Sequence, residues 1–329
     1  MKAIEFTRYG RPHEVCHCIE VADPPAPHKG EIAIAVEAAA INPADLLILE
    51  GRYPGPKPPA RQGIEGVGKV IAIGENVTAL KIGDRAMLLG RDNWVEQQTM
   101  PASQAIKIPE DLNILQAAQI KANPPSAMIM LENYENLNEG DWVIQNAANS
   151  AVGLHVIRLA RSRGIRSVNV VRREALIKPL KDHGADLVVL EGSDLSDRVR
   201  EEIGEARMPL AIDAIGGISC MNLADCITNG GTVVNYGFLS GDPCMLTPTH
   251  TIVRQIKLVG FWLATSLFAK SHDVIKATYT EIAQMFIDGV LYSPVEATYT
   301  LDQVTEALEH AGRAQRSGKI IFTPNGPIS

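Results

Sequence analysis

Cysteine is scarce in this chain, and its count is odd: five in 329 residues. That argues against a disulfide framework. Cys16 and Cys18 flank His17, but neighbouring side chains of an extended strand point to opposite faces. His17 is therefore directed away from both sulfurs, and no metal site is expected there. No apolar run approaches the roughly 20 residues of a membrane span. No Lys/Arg block marks a nucleic-acid surface, and a formal charge of −7 with a pI near 5.7 gives no reason to expect a polyanionic partner. The opening MKAIEFTRYG has no charged n-region, apolar h-region or cleavage site. A cytoplasmic enzyme is expected, and the sequon at Asn76-Val77-Thr78 then carries no meaning. Internal repeats and low-complexity segments are also missing.

What is present is the composition of a soluble globular protein, 46% hydrophobic and 21% charged. The length suits two domains with substantial cores. Two textures divide the chain. Up to about residue 116, short apolar runs (MKAIEF, EIAIAVEAAAIN, GVGKVIAIG, DRAMLLG, NWVEQQTM) alternate with Gly and Pro, which predicts a β-rich, barrel-like domain. The PGPKPP loop at 54–59 is too stiff and too poor in donors to be a central strand. From about 117, strands alternate with helices: Trp142–Ala147, Ser167–Arg172, Leu187–Leu190, Leu210–Ala214, Gly231–Tyr236 and Ile256–Trp262. Several are apolar throughout, as strands covered on both faces must be. The pattern predicts a doubly wound parallel α/β sheet with a ligand crevice at the carboxyl ends of its strands. A last helix, about Leu301–Gln315, and the strand KIIFTP return to the first domain. The expected division is 1–116 with 287–329, and 117–286 inserted between them.

Residues 143–153, VIQNAANSAVG, run from an apolar strand through small residues into a helix. The dinucleotide fingerprint G-x-G-x-x-G would fall on Ala148, Ser150 and Gly153, so two of three glycines are missing. The two missing glycines would keep the turn tight and let backbone approach a pyrophosphate. Alanine and serine are the next smallest residues, and a serine hydroxyl can also donate to phosphate. Gly153 keeps the third role, close helix–strand packing, while the helix start at Asn149, Ser150, Ala151 and Val152 offers N–H groups and positive potential. A tight turn holding no ligand would read the same way. The second strand separates the two. It ends SVNVVRRE, placing Arg172 and Arg173 where an acid would bind a ribose hydroxyl and where Arg meets a 2′-phosphate. Guanidinium groups make charge-assisted, bidentate bonds to phosphate. NADPH is the expected cofactor.

Several stretches together carry a resemblance to a known family. INPADLLILEGRYP (41–54), GIEGVGKVIAIGENVTALKIGDR (63–85), KANPPSAM (121–128), VIQNAANSAVG, VNVVR (168–172) and GFWL (260–263) resemble the medium-chain dehydrogenase/reductase superfamily. The chain is most similar to the mitochondrial-type 2-enoyl-thioester reductases, with QNAANSAVG and GFWL as the specific pieces. The resemblance implies a GroES-like catalytic domain, a Rossmann NADPH domain and a homodimer. It also implies NADPH-dependent reduction of the activated C=C bond of a trans-2-enoyl-CoA or enoyl-ACP. Quinone or 2-alkenal reduction uses the same hydride chemistry, and a non-catalytic NADPH sensor is the reading from another class. Zinc alcohol dehydrogenases of the superfamily carry a Cys and Gly-His-Glu where this chain has Asn42 and Gly63-Ile64-Glu65. Without thiolate or imidazole ligands, tetrahedral zinc has no cage, so no metal is expected.

Tyr53 is the leading catalytic candidate. Hydride addition to the β-carbon pushes negative charge onto the carbonyl oxygen and α-carbon, and a phenol can donate to that oxygen or supply the α-proton. The matching tyrosine has this role in the enoyl reductases; an aromatic anchor for the Pro-rich loop is the plainer reading. Asn42 can bond ribose or substrate through its amide, or simply form a turn before Pro43. The resemblance places Asn123, Ser126, Tyr236, Gly237, Phe261, Trp262, Leu263 and Lys319 around the nicotinamide, although packing accounts equally well for the aromatic side chains. Pro125 replaces a common Cys and is expected to alter its turn. Arg52, Lys57, Arg61 and Arg91 are candidates for a basic rim that guides a phosphate-bearing acyl carrier.

Overall fold

A computed structural model describes residues 1–328. The chain forms two compact units, Met1–Ala122 with His272–Ser329, and Asn123–Ser271. The boundaries expected at 116/117 and 286/287 are displaced. The helix His272–Ile287 buries Ile275, Tyr279, Ile282, Ala283 and Phe286 on one face. The Tyr279 hydroxyl donates to the Lys121 carbonyl at 2.7 Å, tying this helix to segment 117–122 within the first unit.

In the first unit a seven-stranded sheet runs in the order Val295–Tyr299, Lys319–Phe322, Glu31–Ala40, Val67–Ile73, Arg85–Leu88 and Ala105–Lys107, with Gln97–Pro101 also pairing to Glu31–Ala40. A three-stranded sheet joins Cys16–Glu20, Lys2–Phe6 and Ala60–Arg61. Cys16 is buried and His17 exposed, the alternation that the strand period requires. The core gathers Ile4, Phe6, Ile32, Ile34, Leu88 and the edge-to-face pair Trp94–Phe322, whose ring centroids lie 5.2 Å apart. The last strand returns as expected: Ile321 and Phe322 pair with Ala40 and Ala39, and Ile41 N–H donates to the Ile320 carbonyl. This register sets Lys319 beside Asn42. The last helix is shorter than the apolar pattern predicts. A 3₁₀ turn, Leu301–Gln303, opens under the Thr300–Gln303 capping box, and the α-helix spans only Val304–Gly312.

The second unit is a six-stranded parallel sheet of Trp142–Gln145, Arg166–Val171, Leu187–Leu190, Leu210–Asp213, Thr232–Asn235 and Lys257–Gly260. Numbered along the chain, their spatial order is 3-2-1-4-5-6. Trp142, Ile144, Val168, Ala211 and Val233 enter one core cluster; Val171 and Val188 enter another with Leu154 and Ile157 of the helix Ala151–Ser162. Helices therefore cover both faces, which explains why the strands are apolar at successive positions. The strand order reverses between the first and fourth strands, and a crevice opens at their carboxyl ends. Among the described residues no helix is long and apolar enough to cross a membrane.

Candidate active site

In the first unit, strand Glu31–Ala40 ends two residues before Asn42, the N-cap of helix Pro43–Leu49. Pro43 at the first helical position needs no acceptor, and Asp45 closes the capping box by accepting from Asn42 N–H at 2.8 Å. A buried polar network grows from this cap. Asn42 Nδ2 donates to Glu65 Oε1 at 2.5 Å, and Lys319 Nζ donates to Asn42 Oδ1 at 2.5 Å. Glu65 Oε2 accepts the backbone N–H groups of Lys121 and Ala122 at 3.0 and 3.1 Å. Lys121 Nζ donates to the carbonyls of Ile64 and Gly90. Asp45 Oδ1 accepts from Ile64 N–H at 3.0 Å. Asn42, Asp45, Glu65, Lys121 and Lys319 are all buried.

Burial dominates the ionisation of this network. It pushes Asp45 up to about 7 against the backbone N–H bonds it accepts. It draws Lys121 down to about 7 and Lys319 down to about 8, with the Glu65 charge opposing both shifts. Tyr53 lies half-buried in the loop that follows the helix, whose end is fixed by Arg52 N–H donating to the Leu47 carbonyl at 2.8 Å. The expected direct contact of Asn42 with ribose or substrate is narrowed, because its amide already joins Lys319 to Glu65. Lys319, expected at the cofactor, sits in this same network. Lys121 and Asp45 were not anticipated; the signals were a lone lysine in the apolar stretch AAQIKANPPSAM and the N-x-x-D spacing of a capping box. Of the basic candidates, Arg52 is engaged by Glu50 at 3.0 Å. Arg61 and Arg91 both act on Asp92, lowering a carboxyl that desolvation raises.

This donor set does not fit the zinc of the superfamily's alcohol dehydrogenases. The set offers no thiolate or imidazole: Ile64 is hydrocarbon, Asn42 is a neutral amide, and the buried Lys121 and Lys319 ammonium groups stand beside the one carboxylate, Glu65.

In the second unit, the first strand passes through Asn146–Asn149 to Ser150, the N-cap of helix Ala151–Ser162. Ala147 takes a left-handed conformation, φ 46°. Ser150 Oγ accepts Gly153 N–H at 3.1 Å and pairs with the Tyr236 hydroxyl. Its hydroxyl is thus occupied in shaping the turn as well as facing the crevice. A Cβ at Gly153 would collide with the Ala148 carbonyl, so glycine is required for the close packing expected of it. Tyr236 follows the fifth strand, and burial pushes its phenol up to about 12. At Gly237 a Cβ would stand 2.6 Å from the Ala214 carbonyl.

Arg172 follows the second strand directly and lines a cavity of about 620 Å³ with Glu191, Gly192, Ser193, Ile218 and Met221. Arg173 does not line this cavity; it is half-buried at the start of the turn Glu174–Leu176. Both residues lie beyond the strand's last residue, Val171, and of the two only Arg172 lines this cavity. Pro125 does not distort its segment. The helix Asn123–Asn133 carries both prolines in its first turn, where no N–H is needed. Asn123 opens that helix, half-buried, and Ser126 is buried on it. Phe261 is buried, Trp262 is 45% exposed and Leu263 starts a short helix. Phe261 is packed into the interior, while the Trp262 side chain is left partly at the surface. The residues of this unit fit a dinucleotide: a helix N-terminus for the pyrophosphate and Arg172 for an additional phosphate.

The sequence relatives agree with this geometry. Residues 28–110 match the alcohol dehydrogenase GroES-like domain family, and residues 151–283 match the zinc-binding dehydrogenase family. A mitochondrial enoyl-[acyl-carrier-protein] reductase of Caenorhabditis elegans is 35% identical over 318 residues, 94% of this chain and 91% of its own. The chain belongs to the medium-chain dehydrogenase/reductase superfamily. Among solved superfamily structures, the Etr1p/NADP/crotonyl-CoA complex matches with TM-score 0.88 and 25% identity, covering 98% of this chain and 99% of that one. The mitochondrial 2-enoyl thioester reductase Etr1p/Etr2p heterodimer of Candida tropicalis matches at 0.87 and 26%, with coverage of 98% and 99%. A mycobacterial quinone oxidoreductase also matches at 0.87 and 26%, covering 98% and 100%. Thus the zinc-binding family matched by the second unit includes a chain whose first unit lacks the corresponding zinc ligands.

Proposed function

We propose that this protein is an NADPH-dependent, zinc-independent reductase of the activated C=C bond of trans-2-enoyl thioesters, carried on CoA or an acyl carrier protein. The observation that carries the substrate class is the 35% identity to an enoyl-[acyl-carrier-protein] reductase across 94% of the chain. NADPH, when bound, supplies the hydride. Gly153, the helix start at Ala151–Val152 and Arg172 hold its phosphates. Tyr53 donates to the carbonyl oxygen or the α-carbon as negative charge develops there. The Asn42–Lys319–Glu65 network keeps an ammonium group buried in the same unit, where positive charge favours an enolate without a metal ion.

NADPH oxidation should be followed with crotonyl-CoA, a longer enoyl-CoA, a quinone and a free alkenal. The expected order places the enoyl-CoAs first in kcat/KM, with full activity retained after dialysis against a strong chelator. A quinone or alkenal preferred by orders of magnitude would replace the substrate assignment; the likeness to quinone oxidoreductase makes that the competing reading. Activity lost with the metal would overturn the zinc-independent chemistry.

Arg172→Ala should remove most of the preference for NADPH over NADH. One charge-assisted contact contributes about 1.5–3 kcal/mol, which is roughly tenfold or more in selectivity. Equal efficiency with both coenzymes in the unmodified protein would sink this role.

We also propose a homodimer built on the edge strand Lys257–Gly260. Support comes from Leu258 on that strand, 38% exposed, and from Ile252 and Val253 just before it, 74% and 72% exposed. Light scattering should return twice the chain mass; a monomer at working concentration would refute it.

A further inference from the structure

Asp213, Cys220 and Cys244 converge in the second unit from three separate elements: the end of the fourth strand, the helix Gly217–Cys226 and the segment after the fifth strand. One ligand atom from each lies within 4.8 Å of the other two, and no other such group of three His, Cys, Asp or Glu occurs among the described residues. Asp213 and Cys220 are fully buried, while Cys244 is partly exposed. The Cys244 thiol donates to Asp213 Oδ2 at 3.9 Å, and the two thiols contact each other. We infer that these three side chains form a binding site for one thiophilic divalent cation of the zinc class.

Three physical arguments support the inference. The spacing is close to that of a coordination shell: Zn–S bonds of about 2.3 Å and Zn–O bonds of about 2.0 Å put neighbouring tetrahedral ligands roughly 3.5–3.8 Å apart. The carboxylate is already oriented. Asp213 Oδ1 accepts from Asn146 Nδ2 at 2.5 Å and Ile215 N–H at 3.0 Å, Oδ2 accepts from Asn235 Nδ2 at 2.8 Å, and Gly216 N–H lies 3.1 Å from both oxygens. Outer partners of this kind hold a metal ligand in its binding direction. The segment bearing Cys244 is also tied down: Ser240 N–H and Oγ donate to the Ile215 carbonyl, and Gly217 N–H donates to the Pro243 carbonyl.

A disulfide is the competing fate of two touching thiols. Burial, with the Asp213 carboxylate acting in the same direction, keeps both thiols protonated, so the attacking thiolate is scarce and a cation must itself displace the protons. Binding is an exchange without electron transfer. The cation forms two S–M bonds and one O–M bond, the two thiols release two protons to solvent, and water reaches the fourth position past the exposed side of Cys244. The bound cation would join the segment following Tyr236–Gly237 to the helix that carries Ile218 and Met221 of the Arg172 cavity. The inference does not depend on the proposed reaction, since neither thiol has a part in it.

Cd²⁺ is the suitable probe, because cadmium thiolates absorb in the ultraviolet. Titration of the full chain should produce a sulfur-to-cadmium charge-transfer band saturating at one equivalent, removable by excess Zn²⁺, and a rise in Tm of several degrees at saturating metal. A variant with Cys16, Cys18 and Cys226 all changed to Ser should keep the band. Cys244→Ser should abolish it, and Asp213→Asn should weaken binding at least tenfold. Cys244 is on a partly exposed segment, so its variant decides the matter even where Cys220→Ser fails to fold. No band, a band that survives Cys244→Ser, or a Cys220–Cys244 disulfide in the untreated protein would overturn the site.

Discussion

Replacing Tyr53 with phenylalanine should lower kcat by roughly 10²–10³ and leave NADPH affinity nearly unchanged. The expectation follows from separating the two tasks. The residues proposed to hold the phosphates, Arg172 and the helix start after Ser150, belong to the second unit, and Tyr53 belongs to the first. Its phenol acts on charge that exists only once hydride has begun to move, so its loss should fall on kcat rather than on ground-state binding. Phenylalanine keeps the ring that could anchor the Pro-rich loop. Stopped-flow turnover of crotonyl-CoA, with fluorescence titration of NADPH, separates the two roles. Weakened NADPH binding with kcat intact would make Tyr53 a structural anchor.

Glu65→Ala should cost about 3–5 kcal/mol of stability, measured by urea unfolding, because it strands buried positive charge. The substitution removes the acceptor of Lys121 N–H, Ala122 N–H and Asn42 Nδ2, together with the charge that favours protonated Lys121 and Lys319. The deficit should also depend on pH. In the folded protein Lys121 and Lys319 lose their protons near 7 and 8, against 10.5 for an ordinary lysine. Between those values the unfolded chain holds more protons, so the contribution of these lysines to stability rises with pH. The cost of burying the ammonium groups is fully present below about 7 and is relieved towards pH 10. Arg91 near Lys121 and Arg316 near Lys319 act in the same direction as burial, while Asp45 opposes it for both. The Glu65→Ala deficit should therefore narrow as pH rises from 7 to 10. A deficit below 1 kcal/mol, flat across that range, would show that the lysines do not depend on Glu65.

The second unit was readable at the level of single strands because parallel strands covered on both faces leave apolar runs such as LVVL, or nearly apolar ones such as SVNVV. The tightness of its first strand–helix turn was readable because size is a local property: Gly153 packs where no Cβ fits. The pair Arg172–Arg173 was only half readable. Sequence position marks both for a phosphate, whereas the chain's course after the strand brings only Arg172 to the cavity. The domain edges moved because helix His272–Ile287 shows an apolar face without naming the core that receives it.

By itself, then, the sequence determined the fold class, the insertion of one domain within the other and the tight turn at Gly153, and it nominated Tyr53 as the candidate donor. These rest on periodicity, residue size and side-chain chemistry over a few neighbouring positions. Only the tertiary structure decided which charges meet. Asn42, Glu65, Lys121 and Lys319 span almost 280 positions of chain, and Asp213, Cys220 and Cys244 are separated by 7 and 24. Such clusters have no sequence period. They arise because sheet register and crossover helices carry distant side chains into the same dry interior, where low dielectric turns their proximity into large shifts of charge.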